Sequence, residues 1–100
     1  MAYEAGALDA TLAAAAGEDP ALFLELRVAF IESLSRQIDL LRRARCDGNW
    51  RVAAMRLKGL ASSFNAEPLI LLANEAVDAA PGDPVAIRRI QAFLDEFSAN

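Results

Sequence analysis

Few side chains in this chain of 100 residues could do covalent chemistry, since it contains one cysteine and no histidine. Ser62 and Ser63 carry hydroxyl groups, but a serine nucleophile needs a titratable base within reach, and the nearby candidates are basic arginines. Cys46 has no second cysteine or histidine with which to bind zinc, and we interpret it as a turn residue without a chemical role. We therefore expect a protein that is not an enzyme and that holds no metal or cofactor.

A row of carboxylates could be mistaken for a set of metal ligands. Glu25, Glu32 and Asp39 recur every seven residues, which places them on one helix face. A di-metal carboxylate bundle also requires Glu-x-x-His pairs on facing helices, and this sequence has none. Arg36 and Arg43 each follow a carboxylate by four residues. The row therefore predicts two surface ion pairs, Glu32–Arg36 and Asp39–Arg43.

Residues 50–64 carry a more unusual pattern. Apolar residues recur on one stripe and should face a core: Ala53, Leu57, Leu60, Ala61 and Phe64. A second stripe shares the opposite face, since its members are spaced by four, three, one and three residues: Arg51, Met55, Lys58, Gly59 and Ser62. This spacing predicts that Met55 is exposed or half exposed.

Gly59 requires an explanation, because glycine inside a helix costs about 1 kcal/mol relative to alanine. It lies one turn after Met55, so one explanation is that it leaves space beside that side chain for a partner. The alternative is that Gly59 allows two helices to pack closely, in which case Lys58 is an ordinary solvated charge.

Residues 53–61, with Asn65 and Ala66, resemble the core motif of histidine phosphotransfer (HPt) domains. Eight residues agree with the family pattern: Ala53, Ala54, Leu57, Lys58, Gly59, Ala61, Ala66 and Leu69. In that family a solvent-facing histidine takes a phosphoryl group from one aspartyl phosphate and passes it to another. The resemblance implies that Lys58 matches the lysine that helps to hold the phosphoryl group, and that Gly59 matches the glycine that lets a partner approach.

Three positions depart from the family pattern. Met55 occupies the position of the histidine, and a thioether has no nitrogen lone pair with which to accept a phosphoryl group. Asn65 replaces the usual glycine, but asparagine tolerates the left-handed conformation that ends helices. Val77 stands where the family often has a carboxylate, with Asp78 beside it.

The resemblance implies an HPt-like protein of two-component phosphorelay signalling. Because of Met55 we expect a non-phosphorylatable binding or regulatory module that docks on a response-regulator receiver domain, a histidine kinase, or both. The partner-docking residues would be Arg51, Met55, Lys58, Gly59 and Ser62. Two alternatives remain open: a genuine histidine phosphotransfer protein whose histidine has been replaced by Met55, and a structural helical bundle that self-associates through its Met55 face.

Caps and helix breakers predict the elements that would position these residues. The expected helices span approximately residues 7–16, 20–44, 50–64, 67–79 and 84–97. Asp19-Pro20 and Asp83-Pro84 each place a capping carboxylate before a proline suited to the first helical position. Asn49 could cap the helix that carries the motif. Short connections predict an all-α, antiparallel up-and-down four-helix bundle with the short N-terminal helix as a lid across one end.

Length and composition predict one domain over residues 1–100. The chain is 55% apolar, and a protein of this size can bury roughly 65% of its unfolded surface, so a single core is feasible. No apolar run approaches the roughly 20 residues of a membrane helix. The first four residues do not resemble a secretion signal. We expect a cytoplasmic protein without membrane association, monomeric rather than dimeric.

Charge is unevenly distributed along the chain. Its net charge is −4, yet the segment from Arg36 to Lys58 carries seven cations against Asp39 and Asp47, a local net of +5. We expect these cations to gather near Met55 and to attract an acidic partner. The macrodipole of the preceding helix could account for those at its C-terminus, but not for Arg51 or Lys58. An acidic chain without interleaved aromatic and basic residues is not expected to bind nucleic acid.

Overall fold

The structure is a computed structural model that describes residues 5–99. Its five helices are α1 (Ala5–Ala16), α2 (Pro20–Arg43), α3 (Asp47–Ser63), α4 (Glu67–Asp78) and α5 (Pro84–Ala99). Within this range there is no β-strand, so the all-α fold class is confirmed. Among these helices none combines the length and the apolar character needed to cross a membrane.

The two Asp-Pro pairs mark helix starts, as predicted. Asp19 Oδ1 accepts hydrogen bonds from the backbone N–H groups of Ala21, at 3.0 Å, and Leu22, at 3.2 Å. Asp83 Oδ1 likewise accepts from Val85 N, at 3.2 Å. These carboxylates satisfy N–H groups that have no partner inside the helix. The prolines that follow lose nothing there, since their missing N–H would be unpaired in any case.

The start of α3 differs from the prediction. The helix begins at Asp47, and Cys46 is its N-cap residue without a side-chain hydrogen bond. Trp50 N donates to Cys46 O at 3.0 Å. Asp47 is stabilised at the positive end of the helix, and Gly48 continues the helix instead of interrupting it. The prediction that Asn49 caps this helix is therefore wrong.

Asn65 ends the α3 segment in the way that the sequence predicts. Its φ is 53°, the left-handed conformation that asparagine tolerates. The chain then turns back, and Ala66 N donates to Ala61 O at 2.9 Å. This bond satisfies a carbonyl in the last turn of α3 and fixes the angle at which the chain enters α4.

The helices share one apolar core. Helix α2 packs against α1, α3 and α5, and α4 packs against α3 and α5. Of the predicted core stripe of α3, Ala53, Leu57 and Ala61 are buried and Leu60 and Phe64 are half-buried. At the centre, Phe30 makes edge-to-face contacts with two other rings. Its centroid lies 5.2 Å from that of Phe64 and 5.6 Å from that of Phe97.

Trp50 and Arg27 join elements that are distant in sequence. The indole N–H of Trp50, on α3, donates to the carbonyl of Ala76 on α4, at 2.7 Å. The guanidinium of Arg27, on α2, lies 4.6 Å from the centre of the Phe97 ring and donates to the Phe97 carbonyl on α5. Its Nε also lies 3.6 Å from a carboxylate oxygen of Asp9 on α1. One arginine thus connects three helices.

Candidate functional site

The five residues predicted to form a docking face do share one face of α3. Met55 is 45% exposed, Arg51, Gly59 and Ser62 are exposed, and Lys58 is half-buried. The opposite side of the helix faces the core through Trp50, Ala53, Ala54, Leu57 and Ala61. Met55 therefore lies in the middle of the outward surface, with nearly half of the residue exposed.

Gly59 is surrounded by open space. A Cβ atom at this position would meet no heavy atom within 4 Å apart from its own helix and chain neighbours. The helix therefore does not need glycine here to pack against α2 or α4. The close-packing explanation for Gly59 is wrong, and the unfavourable propensity of glycine in a helix stays without a reason inside the fold.

Val52, which is 51% exposed, also belongs to this surface and was not predicted from the sequence. Val52, Met55 and Gly59 follow one another at i, i+3 and i+7, so they form a continuous ridge along the helix. Spacing could have revealed it, because Val52 lies three residues before Met55. The predicted face was nevertheless assigned to Arg51, Met55, Lys58, Gly59 and Ser62, without Val52.

We refer to this surface as the Met55 face, which consists of Arg51, Val52, Met55, Arg56, Lys58, Gly59 and Ser62. Arg51 and Lys58 flank the ridge on one side and Arg56 on the other. Within residues 5–99 none of these three cations makes a side-chain hydrogen bond or an ion pair. An exposed apolar ridge is thus bordered by positive charge that the fold does not neutralise.

Not all the basic residues gather around Met55. Arg42 turns away from α3 and donates to Gln91 Oε1 on α5, at 2.8 Å, and Arg45 donates to the carbonyl of Arg42, at 3.3 Å. The prediction that the basic segment forms a single group near Met55 is wrong for these two. Consecutive residues of a helix point about 100° apart. The side chains of successive arginines at the end of α2 therefore lie beside different helices, some beside α3 and others beside α5.

A shallow groove of about 410 Å³ adjoins the ridge between α2 and α3. Leu40 and Val52 form part of its wall, and Arg43 and Arg56 also line it. Arg43 pairs with Asp39 at 2.9 Å, as predicted. The predicted pair Glu32–Arg36 does not form, since Arg36 donates instead to Ser33 Oγ, at 3.2 Å. The groove extends the Met55 face with a depression of mixed polar and apolar lining that includes two arginines.

The described residues hold no arrangement for nucleophilic or metal chemistry. Ser63 Oγ donates to the carbonyl of Gly59, at 2.9 Å, and Ser62 is exposed. No group of three or more cysteine, aspartate or glutamate side chains in this part of the chain could hold a metal ion. Cys46 is an exposed free thiol. What the Met55 face offers is contact surface and charge.

Comparisons of the chain with models of protein families, with curated proteins and with solved structures find no match.

Proposed function

We propose that this chain is an HPt-like protein of two-component phosphorelay signalling that docks on a receiver or kinase domain through its Met55 face without being phosphorylated there. The observation that carries the proposal is the open space around Gly59, one turn after an exposed Met55. Glycine is unfavourable in the helix by about 1 kcal/mol and nothing inside the fold requires it. A partner surface that approaches Met55 closely would require it.

The proposal includes an architecture. We propose an antiparallel up-and-down four-helix bundle formed by α2, α3, α4 and α5, with α1 as the short N-terminal helix. The packing supports it, because each of these four helices contacts the next and α5 contacts α2. Connections of a few residues favour antiparallel neighbours in such a ring. In this bundle the outer face of α3 is free of neighbouring helices along its length.

The proposed role is binding because the residue at the centre of the face cannot carry out phosphotransfer. A thioether does not form the phosphoryl–nitrogen bond on which HPt chemistry depends, and no histidine elsewhere could replace it. Methionine is flexible and polarisable, so its side chain can fill a pocket of irregular shape in a partner. In this proposal Met55 enters the space that an imidazole would occupy in a phosphorylatable relative.

Charge supports an acidic partner. The resemblance to HPt domains implies a receiver domain, whose docking pocket carries carboxylates. Arg51, Arg56 and Lys58 border the ridge without partners of their own within residues 5–99, so they are available to pair with such a surface. Complementary charge of this kind accelerates encounter and selects partners more than it raises affinity.

A binding titration against the receiver and histidine kinase domains of the same organism tests the proposal. The wild-type protein, Met55→His and Met55→Ala would each be titrated, with one receiver phosphorylated by a small phosphodonor to follow transfer. We expect the wild type to bind at least one receiver and to take up no phosphate. Met55→Ala should bind it more weakly, and Met55→His should bind it but accept the phosphoryl group only slowly.

Leu71→Ala is the matched control. Leu71 is 62% exposed and lies on α4, outside the Met55 face, so its truncation removes an exposed apolar side chain elsewhere. It should leave binding unchanged. If neither the wild type nor Met55→His binds any receiver or kinase domain, the docking proposal is wrong.

Met55→His and one further variant, Met55→Glu, separate the two alternatives. A phosphotransfer protein that has only lost its histidine should regain full transfer in Met55→His, whereas a binding module that lacks other parts of the site should regain little. Self-association through Val52 and Met55 would appear as a mass that rises with concentration and falls in Met55→Glu. A monomer at high concentration excludes that alternative.

A further inference from the structure

A second charged groove lies between α2 and α5, away from the Met55 face. It is a surface groove of about 590 Å³ that opens widely to solvent, and no residue of α3 lines it. Three arginines do: Arg42 and Arg45 from the end of α2 and its following turn, and Arg88 from the first half of α5. The proposed docking function uses none of these side chains.

These arginines form no ion pair with a carboxylate among residues 5–99. Arg42 donates to Gln91 Oε1, at 2.8 Å, and Arg45 donates to the backbone carbonyl of Arg42. Arg88 makes neither a hydrogen bond nor an ion pair with the described residues. Asp95 also lines the groove, but its Oδ1 accepts from Gln91 Nε2, at 2.9 Å. Three arginines and one aspartate, whose carboxylate accepts a hydrogen bond from an amide, therefore line the groove.

Arg88 is exposed and has no charged partner among the described residues. Arg42 lies in the last turn of α2, where the helix dipole favours a cation. Arg88 is the fifth residue of α5, beyond the first turn to which the effect of the helix dipole is confined. The next residue is different, because Arg89 pairs with Glu75 on α4. Arg88 instead adds a third positive charge to the lining of the groove, where an anionic ligand would meet a cation that has no protein partner among residues 5–99.

We propose that this groove binds a small molecule that carries two or more phosphate groups. Guanidinium groups bind phosphate through paired N–H donors, and three of them around one groove match a polyphosphate better than a single charge. The volume lies within the range of small-molecule sites. Pro84 and Ile87 line the same groove and give the ligand an apolar wall, as a nucleoside di- or triphosphate would use. The Met55 face plays no part in this inference.

A phosphate-bearing small molecule fits better than nucleic acid. Binding of a nucleic acid backbone uses cations distributed along an extended basic surface, whereas these three surround one groove of ligand size on a chain of net charge −4. A nucleic acid would also need to avoid the carboxylates that dominate the rest of the sequence.

Titration with inorganic triphosphate, followed by amide chemical shifts in the ¹⁵N-labelled protein, tests the site. We expect saturable one-to-one shifts concentrated at Gly82, Arg88 and Gln91. Arg88→Gln should weaken binding about tenfold or more, the effect of one charge-assisted hydrogen-bonding group. Arg89→Gln is the matched control, with the same charge change one residue further along α5. It should leave the dissociation constant unchanged.

Several outcomes would contradict the proposal that this groove binds a polyphosphate. One is the absence of saturable shifts up to about 1 mM triphosphate, where binding free energy is only about −4 kcal/mol. Another is an equal loss in Arg88→Gln and Arg89→Gln, which would indicate attraction by net charge alone. Thermal melts establish that both variants fold. Adenosine triphosphate and a short RNA complete the series: tighter binding of the nucleotide supports a nucleotide ligand, and tighter binding of the RNA assigns the groove to nucleic acid instead.

Discussion

At the scale of single residues, Gly59 combines an unfavourable helix propensity with an open environment. Every atom that a methyl group could touch lies beyond 4 Å, apart from its own helix and chain neighbours. Glycine also leaves the unfolded chain with more conformational freedom than alanine does, which weakens the folded state further. The folded protein is therefore less stable with Gly59 than it would be with alanine at the same position.

Gly59→Ala should raise the free energy of unfolding by about 0.5 to 1 kcal/mol, since the methyl group meets no obstacle. Urea denaturation followed by circular dichroism measures this change. The same variant should bind the partner of the Met55 face more weakly, because the methyl group narrows the space beside Met55. Unchanged stability would contradict the open environment, and unchanged partner affinity would contradict the docking role of the glycine.

The site could be predicted from the sequence as far as helical spacing reaches. Spacing placed Met55 and Gly59 together on an exposed face, and the backbone preference of Asn65 predicted its left-handed conformation. Spacing does not specify what packs against a helix. Trp50 bonds to a carbonyl 26 residues later, on α4, and this contact depends on how two helices pack. Val52 was missed because exposure of a valine depends on the absence of a neighbouring element on that side.

At the scale of elements, α3 differs from α2 in how it begins. Asp19 caps α2 with two hydrogen bonds, whereas Cys46 caps α3 with none. Cys46 nevertheless has the extended backbone of an N-cap residue, with φ −141° and ψ 164°. A side chain with a hydroxyl group at this place could accept a bond from the first turn of α3. The helix that carries the Met55 face thus begins without a side-chain hydrogen bond from its N-cap residue.

Cys46→Ser should stabilise the protein by about 1 kcal/mol, because serine is a favoured N-cap residue and cysteine is not. In a domain of this size that corresponds to a rise of about 4 to 8 °C in the melting temperature. Differential scanning calorimetry measures it. Cys46→Ala removes the thiol without supplying an acceptor and should melt close to the wild type. A gain in both variants would mean that the thiol itself is unfavourable there.

Helix boundaries could be predicted where the local chemistry has a single interpretation. A carboxylate followed by proline has one, and both such pairs mark starts. Asp47-Gly48 has two possible interpretations, since this dipeptide is common in turns and is also compatible with the first turn of a helix. Tertiary packing decides between them, so the start of α3 lies three residues earlier than the sequence predicted.

At the scale of the whole molecule, basic residues are concentrated on particular surfaces as well as in one segment of the chain. The outer face of α3 presents three cations with no partner among residues 5–99, and the groove between α2 and α5 presents three more. The rest of the sequence, outside the segment from Arg36 to Lys58, is acidic. A molecule with this distribution has a preferred orientation in the field of an acidic partner.

Association with the partner of the Met55 face should slow as salt is added, because the screening length falls from about 30 Å at 0.01 M to about 10 Å at 0.1 M ionic strength. Dissociation should change much less. Stopped-flow fluorescence gives both rates. The double variant Arg51→Gln with Lys58→Gln should flatten the salt dependence, and Arg89→Gln should preserve most of it. Equal slopes in all three proteins would contradict steering by this face.

The Arg27 contacts have a consequence for how the molecule opens. Its guanidinium connects α1, α2 and α5 through the Asp9 carboxylate and the Phe97 carbonyl and ring. If α5 frays from its C-terminal end, a partly buried cation loses both the carbonyl and the ring, which weakens the attachment of α1 as well. The first and last described helices, far apart in the chain, should therefore exchange their amide hydrogens as one cooperative unit, while α3 exchanges separately.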